Sequence, residues 1–322
     1  MSARLLMDQG ITPTLITFTS PFFPPDKALA SAAALGLPVT LVNIYDDLLP
    51  LIKNPPHGLG KNLNPCIDCH ALMFRKAGEF LGDNEPGFLF SGEVIGQRPM
   101  SQNPKALKEV AQDSGHWGRV LRPLSAKLLP PTEAEEKGWV DRERLLGLNG
   151  RGRRLQINLA ESYGLAVPAP AGGCLLTDVG YAARLKWLMT QPQAADDQAW
   201  PPERLAELLK RGRLFSADPG QWLAVGRNKA DNEHLNGLVE DGDMLFHLEG
   251  APGPTVLCPA LGEEPGEKTL QMGKSLAAAY GDNGGQTEVT VKIEIKGRGS
   301  RLEQAAVTPS SIWTEFMVPP SS

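Results

Sequence analysis

The first 125 residues alternate between short, almost continuously apolar strands and helical segments, and this alternation restricts the possible folds most strongly. Helices are expected at Asp26–Gly36, after Cys66 and near Pro104–Asp113. Strands that are apolar along their length and separated by helices are typical of a parallel sheet covered on both faces. We therefore predict an α/β fold with a doubly wound, mostly parallel, Rossmann-like sheet. The predicted strands are Thr12–Ser20, Pro38–Ile44, Gly87–Glu93 and Arg119–Leu124.

The start of the chain is unusual for such a fold. Met1–Gly10 has the pattern of the second half of a helix, with no strand or capping residue ahead of it. In a doubly wound sheet the first strand is usually central, and the helix that follows it binds phosphate at its N-terminus. We therefore expect a gap in the sheet, unpaired backbone groups beside it, reduced stability, and no measurable ATP binding by the chain as given.

A second, smaller α+β domain follows. After Asp218 the pattern changes to short strands around two helical segments, one of them near Leu270–Tyr280. Between the two regions lies "QPQAADDQAWPP", which is polar and bounded by prolines, as linkers often are. The predicted division is residues 1–190 for the first domain, 191–215 for a linker and short helix, and 216–322 for the second domain.

Composition and charge limit the classes of protein that remain. The chain lacks an apolar run of 18 residues and an N-terminal signal-peptide pattern, so we expect a cytoplasmic protein without membrane contact. Its formal net charge is −5. From Ser216 onward, eight lysine or arginine residues face 15 acidic ones, a net charge of −7. The basic runs "RGRR" (Arg151–Arg154) and "KRGR" (Lys210–Arg213) could meet phosphates, but a solvated helix end is the preferred interpretation of the second.

Three of the four cysteines form a candidate metal or redox site. Cys66 and Cys69 make a Cys-x-x-Cys pair, and Cys174 is a third thiol. Three thiolates can hold a 4Fe–4S cubane and leave one iron open to carry sulfide to an activated carbon. Two alternatives remain: a structural zinc site that adds His70, or redox thiols that pass a persulfide through a disulfide intermediate. Cys258 lies in an apolar strand and is expected in the core.

Three segments, "CIDCHALMFRKAGEFL", "FSGEVIGQRPMSQ" and "VLRPLSAK", together with "PAGGCLLTD", resemble the tRNA 4-thiouridine synthetase family of ATP-pyrophosphatase (PP-loop) enzymes. The resemblance covers roughly Ala3 to Leu188. It implies that ATP with magnesium adenylates a uracil oxygen and that sulfur displaces AMP. It also implies tRNA and a sulfur donor, either sulfide or a persulfide carrier, as partners, catalytic and metal-binding roles for the three cysteines, and a candidate homodimer. The implied nucleotide-binding residues are Ser91, Gly92, Glu93, Gly96, Gln97 and Arg122.

These residues also have simpler interpretations, and the sequence departs from the family. The glycine-containing "SGEVIGQ" could be a tight structural turn, and Arg122 could form an ordinary ion pair. The Ser-Gly-Gly-x-Asp-Ser type loop that binds pyrophosphate in the family is absent from the sequence, as is the RNA-capturing domain that usually precedes this core. An N-terminally truncated member of the family is therefore the expectation for this region.

The second domain has its own resemblance. "WLAVGRNKADNEHLNGLVEDGDMLFHLEGAPGPTVLC" is similar to the RNA-binding domain of the NFACT ribosome-quality-control proteins. The resemblance makes Arg227, Asn228, Lys229 and His247 candidate RNA contacts, although a net charge of −7 is unfavourable for phosphate binding and His247 could be an ordinary strand residue. Weak, salt-sensitive tRNA binding that depends on Arg227 and Lys229 is expected.

Together these patterns predict a tRNA sulfurtransferase that forms thiouridine, with an iron–sulfur site and an RNA-binding module. The alternative is a non-catalytic RNA-binding protein that has lost the ATP loop and keeps a structural zinc or iron–sulfur site.

Overall fold

The structure is a computed structural model that describes residues 1–82, 87–167, 173–195, 199–262 and 264–318. The chain divides into two compact units, Met1–Asp178 and Val179–Ser322. Within the described ranges, no helix combines the length and the apolar character needed to cross a membrane.

The N-terminal unit contains two separate pairs of parallel strands. Strand β1 (Leu15–Thr19) pairs with β2 (Val39–Asn43), and β3 (Leu89–Phe90) pairs with β4 (Val120–Leu121). The described residues therefore do not form the continuous doubly wound sheet that the sequence predicts. The helices are α1 (Ser2–Met7), α2 (Asp26–Leu35), α3 (Tyr45–Lys53), α4 (Cys66–Gly78), α5 (Pro104–Asp113), α6 (Glu133–Glu136) and α7 (Arg154–Ser162), with 3₁₀ turns at Ala126–Leu128, Arg142–Arg144 and Leu175–Thr177.

A cavity of about 700 Å³ separates the two strand pairs. Strand β1 lines one side of it, β3 lines the other, and α4 contributes Met73 and Phe74. Leu89 of β3 belongs to a buried cluster with Val110 and Val120, whereas every residue of β1 is only half-buried. The cavity therefore lies where no described strand joins the two pairs.

The edge of β3 that faces the cavity carries backbone groups without partners. The Leu89 amide donates to Arg119 O at 2.9 Å and the Ser91 amide donates to Leu121 O at 3.1 Å. Since successive amides of a strand point to opposite sides, the Phe90 amide points away from β4. No described residue accepts a hydrogen bond from it.

We predict that this open edge is visible in native-state hydrogen exchange. We expect hydrogen exchange to be at least tenfold faster at unpaired edge amides than in the centre of the C-terminal sheet. The edge amides are that of Phe90 and those of Leu15–Thr19 that do not bond to β2. Only strand-paired amides require local opening before they exchange. Mass spectrometry or NMR exchange at neutral pH measures this. Equal protection at both places would show that the edge is covered in solution.

The C-terminal unit is built on a six-stranded antiparallel sheet. The strand order is β10-β9-β7-β8-β6-β5, and α11 packs on one face over a core that includes Phe246, Met272, Leu276 and Val291. This confirms a mixed α+β architecture for the smaller domain. The strands are β5 (Arg213–Asp218), β6 (Gln221–Val225), β7 (Met244–Leu248), β8 (Val256–Cys258), β9 (Glu288–Ile295) and β10 (Gly299–Ala306). The helices are α8 (Val179–Leu188), α9 (Glu203–Leu208), α10 (Lys229–Asn236) and α11 (Glu267–Tyr280), with 3₁₀ segments at Pro192–Ala195 and Ser310–Phe316.

The predicted linker, residues 191–215, is part of this C-terminal unit in the structure. Trp200, Leu205 and Leu208 are buried, and the Trp200 indole N–H donates to Leu188 O at 2.9 Å. Strand β5 begins at Arg213, inside the predicted linker. The division between units therefore falls after Asp178 rather than at residue 190, because these apolar side chains pack with the module that follows them.

Candidate functional site

The structure brings the segments that carry the three cysteines together. Cys66 is the first residue of α4 and Cys69 lies one turn later. Cys174 directly precedes the 3₁₀ turn Leu175–Thr177. The loop ahead of α4 bonds to that turn: the Leu63 amide donates to Leu176 O at 3.2 Å and Asn62 Nδ2 donates to Thr177 O at 2.8 Å.

The thiols act on one another electrostatically. Burial raises the pKa of Cys69, and the charges of Cys174, Cys66 and Asp68 raise it further. Burial likewise raises the pKa of Cys174 to about 11, and Cys66 adds to the shift. All three cysteines are free and partly buried. Cys69 and Cys174, 105 positions apart in the sequence, are therefore close enough for their charges to interact, and the raised pKa values favour the protonated form of these two thiols.

Asn64 holds an amide group against this cluster. Its Nδ2 donates to the Cys66 sulfur at 3.1 Å and lies 3.6 Å from the Met100 sulfur. Gly60 makes room for the amide, because a Cβ at that position would lie 2.2 Å from Asn64 Nδ2. Hydrogen bonds to ligand sulfurs are one means by which proteins set the potential of an iron–sulfur centre. Sequence analysis missed Asn64, whose only signal is a short polar side chain just ahead of the helix.

His70 does not contribute to the thiol cluster. Its Nδ1 lies 2.8 Å from Glu93 Oε1, and the side chain lines the cavity between the strand pairs. The charges that act on Cys69 and Cys174 do not include His70. Across the described residues, no three His, Cys, Asp or Glu side chains are placed as ligands of a single metal ion. That finding includes the three cysteines, and the imidazole of His70 is engaged by Glu93.

Ser91, Gly92 and Glu93 lie together at the carboxyl end of β3 and line the cavity. Glu93 is buried; one carboxylate oxygen contacts His70, and the other accepts from Arg122 Nε at 2.9 Å and from Ser91 Oγ at 3.1 Å. Burial alone would raise the pKa of Glu93, but the hydrogen bond with His70 and the charge of Arg122 outweigh it and lower the pKa to about 2. A permanently charged carboxylate is therefore fixed beside the cavity.

The other predicted nucleotide-binding residues make contacts elsewhere. Arg122 is buried; besides Glu93 it donates to Leu107 O at 3.2 Å. Gln97 Nε2 donates to Gln156 Oε1 at 2.9 Å. Gly96 has φ +75°, and a Cβ there would lie 2.8 Å from Asn149 Oδ1, so a glycine is needed at this turn. The structural interpretations of Gly96 and Arg122 are thus the ones that these contacts support.

We predict that Arg122→Met destabilises the protein by about 3–5 kcal/mol, because it leaves the Glu93 carboxylate buried without its cation. Denaturant unfolding followed by circular dichroism measures the change. Lys105→Met is the matched control: Lys105 is exposed and only 3.5 Å from Glu109, so a change within about 0.5 kcal/mol is expected. A loss below about 1 kcal/mol for Arg122→Met would contradict the role given to this ion pair.

The predicted RNA-binding residues lie in the C-terminal unit, and most have structural contacts. Asn228 caps α10, since its Oδ1 accepts from the Asp231 amide at 3.0 Å. Arg227 Nε donates to Asp231 Oδ2 at 2.7 Å. Lys229 is almost fully exposed. His247 lies on β7 opposite Lys292 of β9, and burial lowers its pKa, so it is a neutral residue at pH 7.

Comparison with known families decides the nature of this unit. Residues 212–317 match the family model of the NFACT protein RNA binding domain. The match confirms the resemblance of the C-terminal region to an NFACT-type RNA-binding domain and supports RNA as a partner. It begins at the turn before β5 and ends directly after the 3₁₀ segment Ser310–Phe316.

Two further comparisons add little. No curated protein is similar enough to the chain to count as a relative. Among solved structures, the C-terminal part of the fibronectin/fibrinogen-binding protein from Streptococcus suis matches with 15% identity, over 85% of this chain and 97% of that chain, at a TM-score of 0.30. A similarity at that level supports no structural conclusion.

Proposed function

We propose that this protein takes part in sulfur transfer to a uridine of tRNA. In this proposal the cysteine cluster of the N-terminal unit holds the sulfur-carrying centre, and the NFACT-type module binds the RNA. The observation that supports the proposal is the electrostatic proximity of Cys66, Cys69 and Cys174, because three thiols with no fourth side-chain ligand among the described residues match the donor set of a cubane with one open iron.

The donor set favours an iron–sulfur cluster over zinc. A structural zinc site is normally closed by four protein ligands that share one ion, and the fourth candidate, His70, is directed to Glu93. Each thiolate of a cubane binds its own iron, so the thiols need not meet at one point. When bound, such a cluster would supply an iron that carries sulfide. Cys66, Cys69 and Cys174 would hold it, and Asn64 would donate to a ligand sulfur.

The cavity beside β3 is the proposed place for the nucleotide, and this proposal replaces the sequence-based expectation that the chain does not bind ATP. A Cβ at Gly92 would meet only Ser2 Oγ, at 3.9 Å, so the backbone there is open to close approach by a ligand. Ser91 offers a hydroxyl, and Glu93 with His70 offers a fixed carboxylate–imidazole pair. In the reaction that the family resemblance implies, ATP first adenylates the uracil oxygen with loss of pyrophosphate. A carbon–sulfur bond then forms as the carbon–oxygen bond breaks, and AMP leaves with that electron pair.

The alternative function is RNA binding without catalysis. The observation that favours it is the internal use of Arg122, whose Nε and Nη2 are engaged by Glu93 and Leu107 and are not free for phosphate.

We predict that protein purified without oxygen is brown and contains about four iron and four sulfide per chain, the content of one cubane. Cys66→Ala, Cys69→Ala and Cys174→Ala should each remove the colour, since each removes one ligand. Cys258→Ala is the control: burial raises the pKa of Cys258 to about 12, and the side chain lies in the core of the C-terminal unit. Stoichiometric zinc without iron in the unaltered protein would overturn the cluster.

We predict that the cysteines are required for tRNA thiolation in the cell. Cells whose only copy carries Cys69→Ala should lose one thiolated nucleoside from total tRNA to background, as measured by mass spectrometry of digested tRNA. Cells with Cys258→Ala should keep it. An unchanged nucleoside profile with Cys69→Ala would reject sulfur transfer and favour the non-catalytic alternative.

A further inference from the structure

Two basic segments meet at one end of the β5–β6 hairpin: one includes Arg211, directly ahead of the NFACT-type match that begins at residue 212, and the other includes Arg227 inside that match. Arg213 of β5 pairs directly with Val225 of β6. Continuing the antiparallel register by two residues brings Arg211 beside Arg227, and both approach the same carboxylate. The run Lys210–Arg213, which the sequence suggested was a solvated helix end, is therefore a turn that leads into a strand.

Gly212 permits this approach. Its φ is +79°, and a Cβ there would lie 2.6 Å from Val225 O, so only glycine lets the backbone pass so close to β6. The turn is held from outside by Arg184, which donates to Leu209 O at 2.8 Å and to Gly212 O at 3.0 Å. The position of Arg211 is thus fixed by the backbone around it.

A single buried carboxylate lies between the two arginines. Asp231 is fully buried; its Oδ2 accepts from Arg227 Nε at 2.7 Å and from the Arg227 amide at 3.2 Å, and its Oδ1 lies 4.0 Å from Arg211 Nη1. The backbone of Gly212 also hydrogen-bonds to this carboxylate and helps to lower its pKa. Two guanidinium groups beside one carboxylate repel each other, and one carboxylate compensates only one of the two charges. The group therefore keeps a net positive charge at the surface, although the module as a whole is acidic.

Most donors of this pair are unused. Arg211 is about half exposed at 52%, and its guanidinium makes no hydrogen bond within the described part of the chain. Arg227 is 46% exposed, and its side chain hydrogen-bonds to Asp231 through Nε. Among the described residues, its two terminal nitrogens make no hydrogen bond and can donate to a ligand. Guanidinium groups with free terminal nitrogens bind phosphate oxygens in bidentate fashion.

We propose that Arg211 and Arg227 form a phosphate-binding pair that receives the backbone of RNA on the NFACT-type module. The inference rests on the RNA-binding part of the proposed function and adds Arg211, which lies outside the "GRNK" motif. Phosphate contacts of this kind are independent of base sequence, so the pair positions an RNA rather than selecting a base.

The competing basic surface is the β9–β10 hairpin. Four of the eight lysine and arginine residues after Ser216 lie within Lys292–Arg301. Three of them have acidic partners that are partly or fully exposed: Lys292 with Glu294, Arg298 with Glu264, and Arg301 with Glu303. These acids are themselves at the surface and would repel an approaching phosphate, whereas Asp231 is buried behind its arginines.

The test uses the full chain and a labelled tRNA transcript, with binding followed by fluorescence anisotropy over a range of salt concentrations. Arg211→Gln is the decisive variant, because it breaks no hydrogen bond and leaves the Arg227–Asp231 contact in place. It should weaken binding by roughly threefold and reduce the slope of log K against log salt by about 0.7–0.9, the value for one phosphate contact. The double variant with Arg227→Gln should weaken binding by about tenfold and reduce the slope by about twice as much.

Lys296→Gln combined with Arg298→Gln removes the same charge from the hairpin and is the matched control, expected to change binding less than twofold. Loss of binding in this control with no change in Arg211→Gln would overturn the inference and assign the RNA to the hairpin. Equal binding by all variants would also overturn it. Absence of binding by the unaltered chain would instead contradict the RNA-binding part of the proposed function.

Discussion

The ion pair between Glu93 and Arg122 ties the elements of the N-terminal unit to one another. Glu93 follows β3 and Arg122 follows β4, so their contact joins the carboxyl ends of the two strands. Arg122 reaches α5 through Leu107 O, and Glu93 reaches α4 through His70. Because α4 also carries Cys66 and Cys69, the same buried carboxylate that links β3 to β4 also holds the helix that carries these two thiols.

This arrangement explains why the two parallel pairs differ. Strands β3 and β4 are short, but they are backed by a buried cluster and by the Glu93–Arg122 contact. Strands β1 and β2 are longer, and yet they pack less well: every residue of β1 is half-buried, and Leu41 of β2 is about half exposed. Apolar strands of this composition are ordinarily buried on both faces. The cavity lies along β1 in place of packed side chains, so the residues of β1 are less buried than is usual for such a strand.

Local signals predicted several elements well, and tertiary contacts decided the rest. The predicted helix Pro104–Asp113 has the same bounds in the structure, because Asn103 caps it and proline fits its first turn. The helix Asp26–Leu35 ends as predicted at Gly36, which has φ +67°. Helix Tyr45–Lys53 was not predicted, since it contains Pro50, and its burial of Leu48 and Ile52 outweighs the lost hydrogen bond.

At the site, the cysteine spacing pointed to one cluster, but the bonds of Asn64 and His70 depend on long-range packing that no local pattern encodes.

Net charge was the weakest guide to function, and the reason is geometric. A value of −7 for the region after Ser216 counts Asp231 and an exposed glutamate equally. Asp231 is buried and lies near both Arg211 and Arg227, so the net charge at the surface beside these arginines is positive. Glu93 acts in a comparable way in the N-terminal unit, where it lies between His70 and Arg122. In both units a buried carboxylate lies between two basic groups, and such a carboxylate contributes little to the charge at the protein surface.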